Sequence, residues 1–234
     1  MADQLPDQLG VQDGQRRLRL LNDWAFTRIL TGHLAGLEQL LKDNERQLDS
    51  AYPDLAELFR STLGNYLIAT SRPLEAFEYY QKNFDLTPRH LKGFAALNVV
   101  RAFVELGKLD EALQIAEQAM NVVQSEPEDY RLPALMSLGI ALTIQQPIAA
   151  RTHLLEAQRV CKPLHISYWS AQIALYLALT YVSEGKISEA HKQLLDPNNF
   201  IVNLSETGLR LLSGPETVFR PVWALLSKGK PSTL

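Results

Sequence analysis

Apolar residues recur at helical spacing along most of this chain. In LDEALQIAEQAM, Leu109, Ala112, Leu113, Ala116 and Met120 fall on one face, which predicts an amphipathic helix. In YWSAQIALYLALTYV nearly every face is apolar, as expected of an inner helix covered on both sides. No stretch alternates apolar and polar residues between hairpin turn signals. NFIVNL, from Asn199 to Leu204, is the one strand-like run, and it reads as a loop. The pattern predicts an all-α protein.

One phrase returns along the chain. ELGKLDEA at Glu105–Ala112 is echoed by SEGKISEA at Ser183–Ala190. Aligning the chain on the small or apolar residue of that phrase picks out Leu37, Ala76, Ala112, Ala150 and Ala190, spaced by 39, 36, 38 and 40 residues. A quasi-period of this size predicts stacked helical hairpins. Five residues before each anchor lie Gly32, Ser71, Gly107, Gln145 and Gly185. These are turn positions, and glycine there can take a positive φ and end one helix before the next begins. Each anchor then lies near the start of a second helix, where a small side chain lets the pair approach closely. The expected layout is a loose N-terminal segment over 1–14, five hairpins over 15–195, and a C-terminal region over 196–234 that caps the last hairpin or docks a partner.

These residues resemble the tetratricopeptide repeat family. In LGNYLIATSRPLEAFEYYQKNFDLTP, Gly64, Ala76, Tyr80 and Pro88 match its pattern. Phe103, Gly107, Ala112 and Ala119 match in the third repeat, and Ala178, Tyr181, Gly185 and Ala190 in the fifth. Repeats one and four depart from it: Arg28 and Ala141 stand at the aromatic position, and Leu37 replaces the small anchor. In the fourth repeat either Leu138 or Gly139 fits the glycine position. The period exceeds the family's 34 residues throughout, which is similar to the longer-repeat sensor domains of maltose-regulator and LuxR-related transcription activators. The resemblance implies a right-handed superhelix, an α-solenoid whose concave side is lined by the first helix of each pair.

Carried over by register, the resemblance implies ligand-facing positions at Arg19, Asn22, Asp23 and Phe26, at Ser61, Thr62 and Asn65, at Phe94, Asn98, Arg101 and Glu105, and at Gln172 and Tyr176. The candidate binding residues are Asp23, Asn65, Asn98, Arg101, Glu105 and Tyr176. Asn65 and Asn98 are similar to the asparagines with which some members hold a peptide's terminal carboxylate, but the lysine and arginine partners are missing from the matching positions. Asn98 and Arg101 lie three apart on one face and could jointly hold an acidic or polar group. Arg60 falls off this surface.

Composition narrows the function. The 234 residues are 46% hydrophobic, and 23 Lys+Arg against 26 Asp+Glu leave a net charge of −3. That balance gives no global attraction to nucleic acid or anionic membrane. Arg16, Arg17 and Arg19 are the densest basic cluster and read as a solvated helix face, so no direct nucleic-acid contact is expected. The single Cys161 excludes an internal disulfide and suits a reducing compartment. The N-terminal residues lack the basic and apolar regions of a secretory signal, and Ile166–Ser183 reads as a buried helix rather than a membrane span. A cytoplasmic protein is expected. Phosphate-loop, dinucleotide-loop and nucleophile-elbow motifs are all missing. Cys161 and His165 lie four apart but flank Pro163 and read as a loop thiol and a surface histidine, so neither a metal nor a cofactor is expected. Asn203–Ser205 fits a glycosylation acceptor, which matters only in a secreted protein.

The sequence therefore predicts a non-catalytic interaction scaffold that takes a peptide or partner helix, with a homodimer through the C-terminal region as one further arrangement. The alternative is a small-molecule-binding sensor domain. An open groove fits the first and an enclosed pocket the second.

Overall fold

The computed structural model describes residues 14–48, 52–196, 201 and 204–228. The expected loose N-terminal segment lies outside these residues, apart from Gly14, which opens the first helix. The described residues contain no strand and form twelve α-helices: α1 (Gly14–Leu30), α2 (Leu37–Leu48), α3 (Pro53–Ala69), α4 (Pro73–Leu86), α5 (Lys92–Glu105), α6 (Leu109–Val123), α7 (Glu128–Leu142), α8 (Pro147–Leu164), α9 (Ser167–Val182), α10 (Ile187–Leu194), α11 (Glu206–Leu212) and α12 (Glu216–Lys228). No helix among them is long and apolar enough to cross a membrane.

The turns explain the repeat. Gly32, Ser71, Gly107 and Gly185 all adopt left-handed backbone, with φ of 79°, 61°, 72° and 72°. After each, the next amide reaches back five residues: His33 to Arg28 O, Arg72 to Leu67 O, Lys108 to Phe103 O and Lys186 to Tyr181 O, all at 2.8–2.9 Å. This is one C-terminal helix cap used four times, satisfying carbonyls the helix end would otherwise strand. The fourth turn differs. Gln145 keeps a negative φ, and the Gln146 amide bonds Leu142 O at 2.7 Å, four residues back.

The anchors are buried at the start of the second helices: Leu37 at 1% exposure, and Ala76, Ala112, Ala150 and Ala190 at 0%. Glycines sharpen the contact from the other side. A Cβ on Gly64 would stand 2.3 Å from the Tyr80 ring, and one on Gly139 would stand 2.5 Å from Leu154. Tyr80 and Leu154 each follow their anchor by four residues, so Gly139 rather than Leu138 plays the part of Gly64. Neighbouring helices pack along the chain from α2 to α10, and α5 also packs broadly on α7. α9 is buried almost all round, from Trp169 to Thr180.

The C-terminal region does more than cover the last hairpin. α12 packs on α9 and α10, with Phe219 at 1% and Val222 at 0% exposure, and Phe219 meets Tyr176 edge to face at 4.9 Å. Pro221 lies inside α12 and does not end it. α11 turns inward and packs on α1, α3 and α9. Ser205 caps α11 by accepting from Gly208 N at 3.0 Å, and its hydroxyl donates to Leu30 O at 2.8 Å, at the end of α1. Gly208 is needed there, because a Cβ would lie 2.2 Å from Leu30 O.

Candidate functional site

Between α1, α3, α5, α9 and α11 lies a cavity of about 330 Å³. α1 contributes Asn22, Asp23 and Phe26, α3 contributes Ser61, Thr62 and Asn65, and α5 contributes Phe94, Asn98 and Arg101. α9 adds Tyr168, Trp169 and Gln172, and α11 closes the space with Leu211 and Leu212. Phe26 and Tyr168 touch edge to face at 5.4 Å, so α1 of the first hairpin meets α9 of the last. Phe94 and Trp169 meet at 5.6 Å on the next side.

The polar wall is a linked network. Asn65 Oδ1 accepts from Tyr80 OH at 2.8 Å and from Arg101 Nη1 at 3.1 Å. Asn98 donates to Ser61 Oγ at 2.9 Å and accepts from Arg101 Nη1 at 3.5 Å. Arg101 Nη2 donates to Leu211 O, Gln172 Nε2 to Leu212 O at 3.2 Å, and Tyr176 OH to Ser213 O at 2.7 Å. Three side chains from two helices thus hold three successive carbonyls of the C-terminal segment. Arg210 adds a fork onto Glu105 and donates to Gly214 O at 2.9 Å. Two buried polar atoms of this wall have no hydrogen-bond partner among the described residues: Asn22 Oδ1 and Arg101 Nε.

Burial sets the electrostatics. It raises the Glu105 carboxyl above its ordinary value, against the pull of Arg210. It pushes the Tyr168 phenol up to about 12 and raises that of Tyr176 further, so both are neutral donors at physiological pH.

Of the residues singled out by sequence, Asp23, Asn65, Asn98 and Arg101 come together on the cavity wall, with Asp23 the exposed one. Glu105 and Tyr176 lie beside it and face the C-terminal segment instead. Arg19 is exposed and takes no part in the wall, and Arg16 and Arg17 are exposed as well. Asn98 and Arg101 are turned partly toward each other, which uses some of the hydrogen-bonding capacity expected for a ligand. Arg60 is off the cavity, as expected, and it is buried: it is 1% exposed, donates to Asn83 Oδ1 at 2.7 Å and pairs with Glu45 at 3.1 Å.

Sequence reasoning missed Glu57, Asn83, Leu211 and Leu212. Glu57 accepts from Thr87 Oγ1 at 2.8 Å, and Asn83 donates to the Glu57 carbonyl at 3.0 Å. Asn83 is a buried amide in a second helix, where a first-helix register does not look. The loop reading of Cys161 is corrected. α8 runs through Pro163 to Leu164 and ends at His165, which has φ 53°. Cys161 is 1% exposed inside that helix, its sulfur 3.4 Å from Ser170 Oγ, and burial raises its thiol. It borders a second cavity of about 550 Å³ between α8, α9 and α10. Among the described residues no group of three or more His, Cys, Asp or Glu is placed to hold a metal ion.

No protein-family model, curated protein or solved structure matches this chain.

Proposed function

We propose that this chain is a non-catalytic helical-repeat sensor domain that binds a small polar ligand between its inner helices and its own C-terminal segment. The observation that carries this reading is a partly open pocket shared by the inner helices and the chain's own C-terminal segment. The first and last hairpins meet through Phe26 and Tyr168, Leu211 and Leu212 of α11 border the space between them, and a pocket of about 330 Å³ remains, open on the side of Asp23 and Phe94. That volume lies at the lower end of the range for small-molecule sites, on the order of 300–1,000 Å³. The repeated helix caps, the buried anchors and the Gly64 and Gly139 contacts support a tetratricopeptide-like superhelix as its architecture. A thermal-shift screen of the intact chain against a metabolite library tests the function. A ligand at 100 times its Kd adds about 2.7 kcal/mol of stability. A screen with no stabilising compound counts against this reading.

The interaction-scaffold reading has support of its own in the grip on Leu211, Leu212 and Ser213. Those contacts use backbone carbonyls, which any helical segment offers. On that reading a partner helix competes with residues 204–214 for the inner surface. A labelled peptide copying LSETGLRLLSG, added to the intact chain, tests it: saturable binding favours the scaffold, and no binding disfavours it.

A further inference from the structure

The geometry points to a small organic monocarboxylate as the ligand of this cavity, with Arg101 as its counter-charge. This rests on the small-ligand reading above and names the chemistry that reading leaves open.

Arg101 is 6% exposed, yet the acceptors around it are all neutral: Asn65 Oδ1, Asn98 Oδ1 and the Leu211 carbonyl. Its Nε has no partner among the described residues. The carboxylate one turn further along α5, Glu105, is held at both oxygens by Arg210. Arg210 thus takes up the nearest carboxylate on this helix, and Arg101 is left with no acidic group in hydrogen-bond contact. Of the two acids on the cavity wall, Asp23 is exposed and Glu57 accepts from Thr87. Neither bonds Arg101. A buried guanidinium with no counter-ion in contact is costly, and an anion in the adjoining space offsets that cost. A carboxylate suits it because its paired oxygens match the guanidinium donors.

Asn22 narrows the class further. It is 7% exposed, and its Oδ1 is a buried acceptor that lacks a donor. A hydroxyl or ammonium group on the ligand supplies one. Phe94 and Trp169 form an apolar wall beside these groups, which favours an organic body over an inorganic ion. The ligand class is a hydroxy or amino acid with a compact apolar side chain.

The probes are mandelate and phenylalanine, their primary amides, which lack the carboxylate charge, and phenylacetate, which keeps the carboxylate but lacks the second donor. Each is titrated into the intact chain by calorimetry. The acids are expected to bind about tenfold or more tightly than the amides, since a charge-assisted contact is worth roughly 1.5–3 kcal/mol. Arg101→Gln is expected to remove that preference. Asn22→Leu is expected to weaken mandelate and leave phenylacetate unchanged, which keeps the proposal testable should Arg101→Gln not fold. Amides that bind as tightly as the acids overturn the anion assignment and leave the small-ligand reading standing. A chain that binds neither set, and nothing in the metabolite screen, overturns both.

Discussion

Arg210 places its two terminal nitrogens 3.0 Å from the two carboxylate oxygens of Glu105, across 105 residues of chain. The Glu105 side chain is 5% exposed and that of Arg210 17%. Removing the arginine strands a carboxylate in a site where burial already raises its proton affinity. Arg210→Leu is expected to cost about 2–4 kcal/mol, below the full penalty for a broken buried pair because Arg210 is partly wet. Adding Glu105→Gln should recover much of the loss by removing the charge. Urea denaturation of the three variants forms the cycle, and an unchanged midpoint for Arg210→Leu would falsify the anchoring role of this pair.

The hairpins were legible because their signals are local. Gly107 and Gly185 mark turns that only a few neighbouring residues define, and Ala112 and Ala190 follow at a fixed interval. Ser71 shows how far the pattern tolerates substitution, since it keeps the glycine geometry at φ 61°. The cavity wall was legible in part for the same reason: first-helix register places Asn65, Asn98 and Arg101 on one surface. The inward fold of α11 was not legible. Its defining contacts join Ser205 to Leu30 and Arg101 to Leu211, at separations of 175 and 110 residues. Register placed Arg60 off the groove, but its burial against Asn83 and Glu45 rests on contacts 23 and 15 residues away.

Two substitutions, one at a contact glycine and one at a turn serine, should move stability in opposite directions. Gly64→Ala drives a Cβ into the fully buried Tyr80 ring, and the ring cannot shift freely because its hydroxyl donates to Asn65. The expected cost is about 1–3 kcal/mol, larger than the helix-propensity gain of roughly 1 kcal/mol. Ser71→Gly relieves a left-handed backbone and should gain up to about 1 kcal/mol. Its side chain gives up only a 3.5 Å contact from Arg210. Thermal melts of both variants decide the matter, and matching signs would contradict the assignment.

Glu38 ties α2 to the start of α4, accepting from Lys42 at 2.7 Å and from Arg72 at 2.9 Å. Hydrogen bonds from Arg72 and then Lys42 hold its carboxyl below the ordinary 4.5. A depressed folded value means the contribution is complete above the unfolded value and is lost as pH falls through the folded one. Glu38→Gln should therefore be less stable than the parent near neutral pH. Since Glu38 and Lys42 are 29% exposed and Arg72 34%, the difference should be small, about 0.2–1 kcal/mol. It should narrow as pH drops below 4.5 and shrink in high salt. A gap that widens on acidification would reverse the sign of the argument.

Ending the chain at Asp196 tests what the C-terminal region contributes. The deletion removes Leu204, Leu211, Leu212, Phe219 and Val222, each at most 6% exposed. At about 1.5–3 kcal/mol per buried side chain their burial is substantial, although the entropy of ordering the segment is recovered when it is gone. What remains is an uncovered inner face. Tyr176 loses both the Phe219 ring and the Ser213 carbonyl, and Arg101 and Gln172 lose the carbonyls of Leu211 and Leu212. Leu30 O loses the Ser205 hydroxyl, so α1 is released from the far end of the molecule as well. A net loss of several kcal/mol is comparable to the whole stability of a domain, roughly 5–15 kcal/mol. A structural role for α11 and α12 predicts that the truncated chain loses helix signal, binds hydrophobic dye or aggregates, while the full chain stays monomeric. A dimerising role predicts a soluble, folded, monomeric truncation and a dimeric full chain. Circular dichroism and light scattering on both chains separate the two. The inward contacts of α11 favour the first outcome, because its buried residues Gly208, Leu211 and Leu212 are all covered within one molecule.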